Sequence, residues 1–114
     1  MNIQEFGTIM ETKAKVKIVV LNNNFLGNVR QWQQLHYCSR YSLTPMLNPD
    51  YVQIARAYGI AGRMVSDRSE LSDAIRVMFQ TDGPYLLVAN CLEEENVMPM
   101  IPYGAAVDKM ICSI

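Results

Sequence analysis

The sequence predicts an α/β fold, part of a three-layer parallel sheet with helices on both faces. Short apolar runs alternate with stretches of helical period, in the order helix, strand, helix, helix, strand, helix, strand. The run Ile18-Val19-Val20-Leu21 is apolar at four consecutive positions, as a parallel strand covered on both faces requires. Glycine, proline and capping residues fall at the joints between the segments.

Ile3, Phe6, Gly7 and Met10 follow the i, i+3, i+4, i+7 spacing of one helix face, which fades at Lys13-Ala14-Lys15. Residues 16–21 read as a strand that stops at Asn22-Asn23-Asn24. A helix follows Gly27, with Val29 and Trp32 on its apolar face, the amides of Gln31, Gln33 and Gln34 largely elsewhere, and an end near Tyr37. Residues 38–47 read as irregular. Asn48-Pro49-Asp50 then offers an N-cap, a first-position proline and a first-turn acid for a helix striped by Tyr51, Ile54, Ala55 and Tyr58 and stopped by Gly59. Residues 62–65 form a short second strand. Asp67 and Glu70 stand in capping-box relation before a helix with Leu71, Ala74, Ile75 and Met78 on one face. Thr81-Asp82-Gly83-Pro84 breaks it, and residues 85–89 form a third strand bounded by Asn90 and the acidic run Glu93-Glu94-Glu95. A tail with one helical stretch over 105–111 completes the chain.

The chain has 114 residues, 13.0 kDa and 50% hydrophobic residues, enough for one domain. Ten Lys and Arg against eleven Asp and Glu leave a net charge of −1, which provides no basic field for nucleic acid or anionic lipid. No apolar run approaches the ~20 residues that cross a bilayer. The opening Met1-Asn2-Ile3-Gln4-Glu5-Phe6 has no secretory pattern, so a cytoplasmic setting is expected. Cys38, Cys91 and Cys112 fit no metal or redox spacing and are expected to act as buried or half-buried small hydrophobes.

The stretch from Asn22 to Gln33 carries the candidate site. Ligands of parallel α/β sheets bind beyond the carboxyl ends of strands, and here amide side chains occupy such an end, followed by Gly27. Amide and carbonyl oxygens suit magnesium. Asparagine is equally a favoured turn residue, and composition alone leaves that explanation open.

The same stretch, Asn22-Asn23 leading into Gly27-Asn28-Val29-Arg30-Gln31-Trp32-Gln33, resembles the C-terminal thiamine-diphosphate-binding domain of the acetolactate synthase (acetohydroxyacid synthase) large subunit. The similarity extends through Met1-Asn2-Ile3-Gln4-Glu5, Arg40-Tyr41-Ser42, Asn48-Pro49-Asp50-Tyr51, Glu95-Asn96-Val97-Met98-Pro99-Met100-Ile101-Pro102 and Gly104-Ala105-Ala106. The resemblance implies that residues 1–92 are the C-terminal part of that domain and 93–114 its lid-like tail. It implies Asn23 as side-chain magnesium ligand and Phe25 as carbonyl ligand, with Asn22 structural. Leu26, Gly27 and Asn28 would line the cofactor, and Trp32 would face the pocket for the second 2-ketoacid and inhibitors. The alternative for Trp32 is a helix-face core residue. Asn28 stands where the family usually has Met or Leu, and Tyr103 where it often has Pro.

The activity so implied is condensation of pyruvate with pyruvate or 2-ketobutyrate, with loss of CO2, in branched-chain amino acid biosynthesis. Thiamine diphosphate and Mg2+ are its cofactors, with FAD in the full enzyme. The expected partners are the N-terminal and middle domains of the same enzyme, in a homodimer or higher oligomer with a regulatory small subunit. The family's Gly-Asp-Gly aspartate would lie a few residues before Met1, and its activating glutamate in a missing N-terminal domain, so the isolated chain is expected to be an inactive fragment. The competing expectation is a non-catalytic interaction module, or half of a split enzyme. His36 reads as a packing or surface residue and Glu93-Glu94-Glu95 as a solvated loop.

Overall fold

A computed structural model describes residues 2–113. Met1 and Ile114, the outer ends of the two expected segments, lie outside the described residues. The chain divides into two compact units, Met1–Asn23 with Leu47–Cys91, and Asn24–Met46 with Leu92–Ile114.

The first unit contains the sheet. Strands β1 (Lys17–Asn22), β2 (Ala61–Val65) and β3 (Tyr85–Asn90) are all parallel, in the order β1-β3-β2. Helices α1 (Glu5–Thr12) and α3 (Tyr51–Ala57) serve one face: Phe6, Ile9, Tyr51 and Tyr58 pack on Val52, Ala55, Ile60, Leu86 and Val88. Phe6 and Tyr58 meet edge to face at 5.9 Å. On the other face α4 (Arg68–Gln80) brings Ala74, Val77 and Met78 onto Val65, Tyr85 and Leu87. Central β3 buries Tyr85, Leu86, Leu87 and Val88 in succession, each aliphatic side chain contributing roughly 1.5–3 kcal/mol relative to exposure.

β1 departs from expectation. Its apolar run suggested cover on both faces, but Val19 and Leu21, which share the α4 side with their register partners Leu87 and Ala89, are 52% and 72% exposed. β1 is an edge strand, and α4 lies over β2 and β3. Helix faces shift as well. Phe6 and Ile9 turn inward on α1 while Met10 is exposed, and on α4 Val77 packs inward where Ile75 was expected.

The helix ends show which capping signals act. Asp50, not Asn48, caps α3: its carboxylate accepts the N–H of Gln53 at 2.9 Å, and Pro49 lies outside the helix. At the other end Gly59, at φ 71°, donates its N–H to Arg56 and Ile60 donates to Ala55, a Schellman pair that requires the left-handed residue. Asp67 caps α4 through the N–H of Ser69 at 2.7 Å, while Glu70 turns to Arg63 Nη2 at 3.5 Å rather than completing the box.

The second unit is built on α2 (Gly27–His36). A bridge between Phe25 and Pro45 ties its entry to residues 44–46, with Leu26 N–H donating to Thr44 O at 2.8 Å and Met46 N–H to Asn24 O at 2.7 Å. Met100 and Ile111 exchange backbone hydrogen bonds in the tail. The helix expected over 105–111 reduces to one 3-10 turn, Val107–Lys109. All three cysteines are exposed, contrary to expectation, because they lie in loops outside both packed cores.

Candidate functional site

The carboxyl edge of the sheet is crossed by a chain of side-chain amides. Asn48 Nδ2 donates to Asn22 Oδ1 at 2.8 Å, Asn22 Nδ2 to Asn90 Oδ1 at 3.1 Å, and Asn90 Nδ2 to Ser66 Oγ at 2.8 Å. Asn22 ends β1, Asn90 ends β3 and Ser66 follows β2, so the relay joins the ends of all three strands. Such an edge is where parallel sheets present ligand-binding groups. Both polar atoms of the Asn22 amide take part in this relay.

Asn23 follows directly, half-buried, and Asn24 turns the chain at φ 55°. Asn23 belongs to the first unit and Phe25 to the second. Among the described residues no three His, Cys, Asp or Glu side chains gather to hold a metal ion. The oxygens in this stretch are neutral amides and carbonyls. That donor set fits a hard divalent cation whose charge is balanced by phosphate oxygens.

α2 presents the rest of the expected site. Leu26 is 45% exposed ahead of the helix, Gly27 opens it, and Asn28 and Trp32, one turn apart, line a cleft of about 170 Å³ with Gln31, Val97, Pro99, Met100 and Ile101. Trp32, 38% exposed, lines this cleft and is not a core residue. His36 is exposed, its ring 5.1 Å from that of Trp32. The cleft walls are apolar apart from two amides and, among the described residues, carry no charged side chain. Such a lining suits a short alkyl chain bearing a polar group.

The helix turns an unexpected face inward. Val29 and Trp32 are exposed, whereas Arg30 is 1% and Gln31 3% exposed. The Arg30 guanidinium is 5.5 Å from the Phe25 ring and 5.4 Å from that of Tyr41, and Glu94 approaches its Nη2 at 3.5 Å. Gln33 Nε2 donates to Ser42 O at 2.9 Å, and its Oε1 accepts from Ser42 N–H at 3.3 Å and Thr44 Oγ1 at 3.1 Å. Helical periodicity sets these glutamines off the apolar face, although carboxamides can pack wherever backbone partners are supplied.

Sequence reasoning missed Asn48, Ser66 and Asn90 as members of the relay, and Gln31 and Val97 as parts of the cleft. The signal for Asn90 was its place at a strand end matching Asn22. The cleft wall lay within the Pro99-Met100-Ile101-Pro102 segment. Among the described residues no helix is long and apolar enough to cross a membrane.

Comparison with known proteins adds the following. Residues 1–89 match the family described as thiamine pyrophosphate enzyme, C-terminal TPP binding domain. The chain is 44% identical over 112 residues to the acetolactate synthase isozyme 2 large subunit of Escherichia coli K12, covering 97% of this chain and 20% of that protein. It is 40% identical to the acetolactate synthase large subunit of Pyropia yezoensis and 37% identical to the mitochondrial catalytic subunit of Saccharomyces cerevisiae, with 97% of this chain and 19% and 16% of theirs covered. It thus spans about a fifth or less of the length of these relatives. Among solved structures, the thiamine diphosphate-dependent 4-hydroxybenzoylformate decarboxylase of Rhodococcus jostii RHA1 superposes with a TM-score of 0.70 at 22% identity, over 82% of this chain and 18% of that one. That likeness concerns the fold, and it agrees with the parallel α/β architecture.

Proposed function

The chain belongs to the thiamine pyrophosphate enzymes, as their C-terminal TPP-binding domain, and from that premise we propose that it serves within the catalytic subunit of an acetolactate synthase. The observation that carries the reading is identity of 37–44% to such subunits over 97% of the chain. The reaction is condensation of two 2-ketoacids, pyruvate with pyruvate or 2-ketobutyrate, with loss of CO2, on the route to branched-chain amino acids. Bound thiamine diphosphate supplies the electron sink for that chemistry. In this proposal Asn23, by its side chain, and Phe25, by its carbonyl, hold Mg2+, while Leu26, Gly27 and Asn28 line the cofactor. Trp32 faces the second 2-ketoacid, and 93–114 form a lid-like tail. The anionic metal ligand comes from the same domain outside these 114 residues, the activating glutamate from an N-terminal domain, and FAD is a cofactor of the full enzyme. The assembly is a cytoplasmic homodimer or higher oligomer with a regulatory small subunit.

The test is a chimera in which this chain replaces the matched region of the Escherichia coli subunit. Acetolactate formation from pyruvate is expected, with Asn23→Ala lowering it at least about 10-fold and raising the Mg2+ requirement. The 114-residue chain alone is expected to form none. A chimera that binds thiamine diphosphate and makes no acetolactate overturns the synthase reading. One observation favours a two-chain enzyme as second reading: the open α4-side face of β1, which a separate polypeptide could cover. Restored activity when the chain is added in trans to a subunit lacking this region would select that arrangement.

A further inference from the structure

Gln31 is nearly sealed from solvent, and its side chain is joined to the tail by polar contacts. Its Oε1 accepts the N–H of Val97 and its Nε2 donates to the Val97 carbonyl, both at 2.9 Å. One side chain thereby makes with Val97 the two hydrogen bonds that a neighbouring strand would make. Nε2 also lies 3.3 Å from Met100 Sδ. The flanking contacts have the same origin. Asn96 Nδ2 donates to Gln34 Oε1 at 2.9 Å, and Arg30 Nη1 reaches Asn96 Oδ1 at 3.4 Å. The Val97 side chain is 78% exposed, so burial of its own apolar surface does little to hold this part of the tail against α2. The same tail segment supplies Val97, Pro99, Met100 and Ile101 to the cleft whose opposite wall carries Asn28 and Trp32.

We propose that Gln31 is the positioning residue of this cleft: its carboxamide seats residues 97–101 on α2 and so sets the width of the space beside Trp32. A buried donor and acceptor must both be satisfied. Only a carboxamide or a neutral carboxylic acid presents one of each to a single backbone residue, whereas a carboxylate offers two acceptors and repels the Val97 carbonyl. The identity of the cleft's ligand, the alkyl chain of a 2-ketoacid, rests on the reading under Proposed function; the seating does not.

Trp32 is the chain's single tryptophan, so its fluorescence reports the cleft directly. In the 114-residue chain, Gln31→Glu at neutral pH is expected to raise acrylamide quenching of Trp32 towards that of an exposed indole and to open residues 92–101 to protease. Acidification that protonates the introduced carboxyl restores wild-type quenching. Gln31→Met, similar in size and without either partner, stays quenchable at every pH. His36 beside the indole, Arg30 on the same helix, and Glu93, Glu94 and Glu95 on the tail are the titratable or charged groups nearby. All are shared by the variants, so comparison at equal pH cancels them. Wild-type quenching in Gln31→Met, or no recovery of a folded Gln31→Glu in acid, overturns the proposal. If the Gln31 variants do not fold, Val97→Pro deletes the partner N–H at an exposed residue, and unchanged quenching there overturns it equally. Seating that passes these tests in a chain whose chimera makes no acetolactate would leave this inference standing while the functional reading falls.

Discussion

Asn22 and Asn90 are register partners at the last positions of β1 and β3, and their side-chain amides are joined by a 3.1 Å hydrogen bond. With Asn48 and Ser66 on either side, this bond locks the carboxyl edge of the sheet immediately before Asn23. The edge strand, which among the described residues pairs with β3 alone, is thereby tied to the centre by side chains as well as backbone. Asn22→Ala and Asn90→Ala should each lower stability by about 1–2 kcal/mol, as half-buried partners lose their bonds. The double variant should lose less than the sum, since the bond is shared. Urea unfolding of the four proteins checks both statements.

Gly62 of β2 faces Leu86 of β3, and a Cβ there would meet the Leu86 carbonyl oxygen at 2.8 Å. Backbone cannot swing aside as a side chain can, so Gly62→Ala must displace β2 from the central strand. A loss of about 1–3 kcal/mol is expected from such overpacking, read as a lower urea midpoint. Gly7→Ala, where a Cβ meets nothing within 4 Å, serves as control.

Four aspartates titrate below the usual carboxylate range. The backbone N–H of Gln53 does this for Asp50 and that of Ser69 for Asp67. The Arg63 guanidinium acts on Asp73, and the Lys15 ammonium on Asp82. Each therefore binds fewer protons in the native than in the unfolded chain near its native pKa. Its contribution to stability is complete above the ordinary value of 3.8 and is lost as pH falls through the lowered native one. Asp67→Ala should melt lower than wild type at neutral pH, with the difference narrowing on acidification below 3.8. A constant difference across that range would exclude the charge contribution.

The open face of β1 should make the chain self-associate, because Val19 and Leu21 combine an apolar surface with an unpaired strand edge. The double variant Val19→Lys, Leu21→Lys should shift sedimentation towards monomer at high concentration. Its thermal midpoint should change little, since both side chains are already exposed.

The Arg30 guanidinium lies over the rings of both Phe25 and Tyr41, with Nη2 buried without a hydrogen bond and an exposed Glu94 carboxylate 3.5 Å away. So exposed a partner adds little, and the contact of the flat guanidinium with the two aromatic rings is the larger contribution. Arg30→Lys keeps the charge and should still cost about 1–2 kcal/mol, whereas Glu94→Gln should be close to neutral. Urea unfolding followed by Trp32 emission distinguishes the two.

What the sequence determined by itself is the order and type of the elements as far as β3, the central apolar strand and the stops at Gly59 and at Thr81 to Pro84. These follow from signals confined to neighbouring residues: an apolar run, a capping carboxylate, a glycine able to take φ 71°. The resemblance likewise singled out a stretch, Asn22 to Gln33, whose first asparagine ends β1 and whose Asn28 and Trp32 share a cleft. Only the tertiary structure decided which faces are covered. Four aliphatic residues in β1 look the same whether a helix lies over one side or both, and the position of α4 leaves Val19 and Leu21 open. Arg30 and Gln31 are polar by composition yet become interior once the tail brings Glu94, Asn96 and the Val97 backbone to them. The amide relay has the same character, since Asn22, Asn48, Ser66 and Asn90 are distant in sequence and meet only when three strands end at one level. Periodicity reports the water preference of a side chain, while burial depends on what the rest of the chain carries to it.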